Sequence, residues 1–110
     1  MRTSKVSADG SQIKKGAHAQ SAMGEEQFHR ISRVISDRTR YDILRKVFAG
    51  EGVTCGCAAE GLSISAATTS HHIRQLSLSG LIEVTKHGRY RIVGPRRRVW
   101  KAYLALLGRL

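Results

Sequence analysis

Thr68, Ser70, His71, Arg74 and Gln75 bring hydroxyls, an imidazole, a guanidinium and an amide together within about two helical turns. Short donors and acceptors with one cation suit the edge of a base pair and the phosphate beside it. The neighbouring rings of His71 and His72 point about 100° apart on a helix, so they do not readily chelate one ion. His71 falls on the nucleic-acid side of such a helix and His72 nearer the scaffold. Cys55-Gly56-Cys57 offers a second chemistry, because two thiolates can hold a soft metal or metalloid ion. Two sulfurs do not complete a trigonal or tetrahedral site, and the chain has no further cysteine. Three readings of Cys55 and Cys57 therefore stand side by side: packing with no bound metal, soft-ion sensing, and redox sensing through a reactive thiolate. The 8 acidic residues are scattered and no glycine-rich phosphate loop or nucleophile–base pair occurs, so an enzyme is not expected.

These groups need an element to present them. Ser65 is a good helix N-cap, Thr69, Ile73 and Leu76 recur at helical spacing as one apolar stripe, and Gly80 stands where a helix takes a left-handed final residue. The spacing predicts an amphipathic helix whose outer face carries Thr68, Ser70, His71, Arg74 and Gln75. Beyond it, the runs 81–85 and 89–93 are β-branched and aromatic and are separated by Lys86-His87-Gly88, the pattern of a tight hairpin. Alternation places Ile82 and Val84 on one face and Tyr90 and Ile92 on another. Lys86, His87, Arg89 and Arg91 then form a basic, exposed tip. A helix followed by a basic two-stranded ribbon is a winged helix, mainly α with a small β-hairpin.

Upstream residues supply the scaffold. Phe28, Ile31, Val34 and Ile35 share one face of a helix over 25–36, and Asp37 offers the cap for a second helix over 38–49 that leaves at Gly50. After a break at 52–56, a short helix over 57–62 completes a helix-turn-helix with the recognition helix. Pro95 separates the hairpin from a last helix over 96–110. That helix carries Val99, Trp100, Tyr103, Leu104, Leu106, Leu107 and Leu110, more apolar surface than an exposed terminal helix should show, which argues for a dimer.

Composition agrees with a polyanionic partner. The 110 residues carry a net charge of +11, with 41% hydrophobic and 25% charged residues, fitting one small globular domain over 25–110 rather than a disordered chain. From residue 61 onward nine lysines and arginines face a single acid, Glu83, so the excess lies with the helix and hairpin. Such a footprint implies salt-sensitive binding to a polyanion but does not name it, since RNA or an anionic membrane would attract the same charge. The helix and hairpin point to double-stranded DNA, with a non-specific nucleic-acid or protein-interaction winged helix as the alternative. No apolar run reaches membrane-spanning length and residues 1–24 lack a signal-peptide core, so a cytoplasmic protein without membrane attachment is expected. Those first residues are rich in serine, alanine, glycine and lysine without periodicity, and read as a flexible basic arm.

Two segments, in order, resemble a known family. Ile35-Ser36-Asp37-Arg38-Thr39-Arg40-Tyr41-Asp42-Ile43-Leu44, together with Thr69-Ser70-His71-His72-Ile73, Leu76 and Gly80-Leu81-Ile82, is similar to the two signatures of the ArsR/SmtB bacterial winged-helix repressors. Arg38 stands where the family usually has proline, and Thr69 where it usually has valine. The resemblance implies a homodimer that binds an inverted-repeat operator and is released by an inducer. Its DNA contacts fall here on Ala66, Ala67, Thr68, Ser70 and His71. It places the terminal helices at the interface, through Phe28, Ile31, Ile35, Trp100, Tyr103, Leu104 and Leu107. Cys55-Gly56-Cys57 lies where arsenic- and cadmium-sensing members carry Cys-x-Cys. The zinc site that some relatives build on the last helix needs aspartate and histidine, and residues 95–110 contain neither.

Overall fold

In a computed structural model that describes residues 23–110, three of the helices start on side-chain caps. Helix α1 spans Glu25–Ile35 and α2 spans Arg38–Phe48, with Asp37 Oδ1 accepting from the Arg40 amide at 2.9 Å. That hydrogen bond, helped by the charges of Arg40 and His72 and opposed by burial, holds the Asp37 carboxyl below its usual range. The stabilisation it brings is therefore present above the ordinary carboxylate range and is lost as pH falls through the lowered value. Strand β1 is Val53–Thr54, α3 is Cys55–Ala58 and α4 is Ala66–Leu78. The Ser65 hydroxyl accepts from the Thr68 amide at 3.1 Å and so caps α4, an arrangement worth about 1 kcal/mol. Strands β2 (Ile82–His87) and β3 (Tyr90–Pro95) form the hairpin, and α5 (Arg97–Leu107) closes the chain. The basic arm expected over 1–24 lies outside the described residues except for Met23 and Gly24.

The sheet is antiparallel in the order β1-β3-β2, with Val53 opposite Val93 and Val84 opposite the same residue on the other side. A two-residue turn joins β2 to β3. Its first residue, Gly88, has φ 63°, the positive value that primed hairpin turns require. The third strand, β1, is absent from the sequence reading, and the short helix α3 starts two residues earlier than the expected 57–62. Both differences have one cause: Thr54 ends the strand and its hydroxyl caps Cys57 N at 3.2 Å, so the helix starts at Cys55.

The core joins all layers. Ile31 and Val34 of α1, Ile43 and Val47 of α2, Ile73 and Leu76 of α4, and Ile82 and Val93 of the hairpin are buried together. The phase of β3 differs from the expected one: Val93 is fully buried, whereas Ile92 is half-buried and Tyr90 is exposed. Arg91 therefore shares the inward face with Val93 and leans toward α4. Ile31 and Tyr103, expected at a subunit interface, are buried within the single chain. Tyr103 hydrogen-bonds Ser32 Oγ at 2.9 Å and stacks on Trp100, tying α5 to α1. At the end of α4, Gly80 has φ 89°, and a Cβ there would lie 2.6 Å from Gln27 Nε2, which donates to Ser79 O. The backbone conformation demands glycine at that position, and a side chain there would also displace the Gln27 amide from Ser79 O. Among the described residues no helix is long and apolar enough to cross a membrane.

Candidate DNA-binding face

Burial fixes which side of α4 faces outward. Thr69, Ile73 and Leu76 are buried, and Thr69 further secures its side by donating its hydroxyl to Ser65 O at 2.9 Å. Ala66, Ala67, Thr68, Ser70, His71 and Arg74 are consequently exposed, while Gln75 is half-buried. The rings of His71 and His72 diverge, with centroids 5.7 Å apart and planes at 59°. His72 turns to the scaffold, where its Nδ1 lies 3.4 Å from Arg40 Nη1. His71 carries its imidazole into solvent.

Lys86, His87, Arg89 and Arg91 are exposed around the hairpin turn, with Lys86 directly opposite Arg91. Glu83 pairs with Arg96 at 3.2 Å and so leaves these cations without its carboxylate. Between the wing and α4 lies a cavity of about 360 Å3 lined by Ser70, Arg74 and Ser77 on one side and by Val84 and Arg91 on the other. The recognition helix and wing thus present one continuous polar and cationic surface. On the far flank of α4 a second cationic groove holds Arg30 and Arg33, which no sequence motif singles out, and Arg40 of the first family-like segment.

Cys55 also lines the cavity beside the wing. Burial raises its thiol pKa, with the Arg91 charge opposing, so at neutral pH the group is held as the thiol. Metal ligation and oxidation both use the thiolate, and this environment works against each. Cys57 is exposed, and two positions along a helix do not face each other. Among the described residues no three histidine, cysteine, aspartate or glutamate side chains gather around one point. Iodoacetamide at neutral pH should therefore modify Cys57 well before Cys55, with Cys55 catching up only as pH rises. Equal rates by peptide mass spectrometry at neutral pH would contradict the protection that burial gives Cys55.

A family model described as a helix-turn-helix domain matches residues 35–85. The crystal structure of an ArsR family transcriptional regulator superposes with a TM-score of 0.71 at 27% sequence identity, covering 80% of this chain and 90% of that one. The chain is similar to ArsR family transcriptional regulators and shares their winged helix-turn-helix fold. Two further solved structures share the fold of this regulator. An ArsR-like regulator from Rhodococcus sp. RHA1 has a TM-score of 0.67 at 23% identity, with 76% of this chain and 78% of that chain covered. A winged helix-turn-helix DNA-binding domain from Mycobacterium bovis, described as homodimeric, has a TM-score of 0.63 at 17% identity, covering 80% and 87%. Comparison with curated proteins returns no match. The fold is that of DNA-binding winged-helix regulators, which are not enzymes.

Proposed function

We propose that this regulator is a repressor that binds an inverted-repeat operator as a homodimer, reads bases with the outer face of α4, and grips flanking phosphates with the wing. The observation that carries the proposal is the position of Ser70 and His71: both are exposed on a helix whose cap at Ser65 and inward stripe leave it no other orientation. Ala66 and Ala67 are small enough to let the helix approach closely and can meet a thymine methyl. Thr68, Arg74 and Gln75 complete the reading surface, and Lys86, His87, Arg89 and Arg91 add sequence-independent affinity. Release by an effector is what the family resemblance implies, and the separation of half-buried Cys55 from exposed Cys57 does not favour a two-thiolate site there.

Exposed leucines on α5 support the dimer. Leu104 and Leu107 project away from the subunit core beside half-buried Trp100 and Phe28. Two-fold symmetry then presents two α4 helices to successive major grooves roughly 34 Å apart. Selection from random duplexes followed by fluorescence anisotropy tests this. An inverted repeat with that spacing is the expected product, whereas equal binding to every duplex, or to RNA, would overturn the assignment.

A further inference from the structure

The groove on the side of α4 away from the wing is built from arginines of two other helices. Arg30 and Arg33 of α1 and Arg40 at the start of α2 meet Gln75 and Leu78 of α4 around a space of about 510 Å3, with Val34 as its floor. Two of the guanidiniums are anchored rather than free to wander. Arg40 Nε donates to Val34 O at 3.0 Å and its Nη1 meets His72, while Arg30 Nη1 donates to Leu78 O at 3.3 Å. Their remaining N–H groups stay available. Arg33 has no ion pair or side-chain hydrogen bond among the described residues, and the carboxylate beside Arg30, Glu26, is exposed and 4.0 Å away. Three cations border the groove against two neighbouring carboxylates, Asp37 beside Arg40 and the exposed Glu26 beside Arg30, so the net charge around it stays positive and suits an anionic partner. Planar guanidiniums held in fixed positions suit phosphate oxygens in particular.

The place of the groove says which phosphate. At about 100° per residue, Ala67, His71, Arg74 and Leu78 form the outermost ridge of α4, opposite the buried stripe. Ser70 and Ser77 lie to one side of that ridge and line the cavity with Arg91, whereas Gln75 lies to the other side and lines the arginine groove. Cations therefore border the ridge on both flanks. A helix seated in a major groove about 12 Å wide meets a phosphate strand on each side, and the wing can serve only one of them. We propose that the groove between α1, α2 and α4 is a second phosphate-binding site, in which Arg30, Arg33 and Arg40 hold the DNA strand on the side of the recognition helix opposite the wing.

The inference rests on the DNA-binding reading above, and one set of titrations separates the two. Affinity for the selected inverted repeat and for an unrelated duplex is measured by anisotropy over a range of salt for the full chain and for Arg33→Gln, Arg30→Gln, Arg33→Lys and Arg45→Gln. Arg45 lies on α2 in a different groove with Asp42 and Glu60, and so controls for net charge alone. In a symmetric dimer Arg33→Gln removes two phosphate contacts, so the slope of log K against log salt should fall by about 2. Both duplexes should weaken in parallel, Arg30→Gln should behave likewise, and Arg33→Lys and Arg45→Gln should keep most of the slope. Matching slopes for the wild-type, Arg33→Gln and Arg30→Gln chains, with selective binding intact, would overturn the second site alone. An equal loss in Arg45→Gln would overturn it too, by tracing the effect to diffuse charge. Competition by inorganic phosphate that vanishes in Arg33→Gln, with no change in the DNA slope, would assign the groove to a free anion instead. A wild-type chain that binds no duplex selectively would remove the reading on which the site depends.

Discussion

Replacing His71 by alanine should abolish the preference for the operator while leaving the folded protein and its binding to unrelated duplexes nearly unchanged. The His71 ring is exposed and, among the described residues, makes no hydrogen bond, so its removal should alter stability by no more than about 0.5 kcal/mol. A correctly paired base contact discriminates by about 1–3 kcal/mol, and a two-fold complex uses it twice. Selectivity should therefore fall on the order of a hundredfold, given tenfold for every 1.4 kcal/mol. Ser70→Ala should act in the same direction. Wing cations and the proposed arginine site should still hold the phosphates, so the affinity for unrelated DNA should survive. His72→Ala serves as the contrast: that ring meets Arg40 in the scaffold, so its loss should lower the melting temperature before it changes specificity. A marked fall in thermal stability for His71→Ala would instead place the ring in the structure and remove the basis for the recognition face.

The recognition helix was legible because each of its signals is local. Ser65, the stripe of Thr69, Ile73 and Leu76, and Gly80 all lie within one continuous run, and each does in space what its type and spacing imply. The hairpin was legible for the same reason, through Gly88 between two β-branched runs. What escaped depends on partners far apart in the chain. Val53–Thr54 is too short to show an alternating pattern, and becomes a strand only because Val93 and Ile92 lie beside it. The same pairing draws Val93 inward, so the phase of β3 could not be settled from Tyr90 and Ile92 by alternation alone. Thr54 did carry a signal, as a hydroxyl residue directly before a helix start, but the glycines around it masked the boundary. Arg30 and Arg33 look like an ordinary solvated face in one dimension, and Arg40 enters only as part of a family-like segment. Only the packing of α1 and α2 against the end of α4 gathers them beside Gln75.

The apolar excess of α5 divides in the structure into two parts with different consequences. Tyr103 is spent inside the subunit, held by Ser32, Phe28 and Trp100, whereas Leu104 and Leu107 remain 44% and 36% exposed. Glutamate at both leucines should therefore leave each subunit folded, since neither side chain belongs to the buried core, yet place four carboxylates in the proposed two-fold contact. Burying unpaired charge against apolar groups is strongly unfavourable, so the pair should separate. Sedimentation equilibrium should change from twice the chain mass of 12.1 kDa to that mass itself, with the helical circular dichroism retained. Operator affinity should then fall by about 10²–10⁴, because the second half-site no longer binds as part of one molecule. Binding to a duplex with a single half-site should stay as it was. That separation matters, because a variant that loses the half-site as well has lost the reading surface rather than the partner. A wild-type chain that sediments as a monomer at micromolar concentration, or a doubly substituted one that remains a dimer, would locate the two-fold contact elsewhere and leave Leu104 and Leu107 without a role.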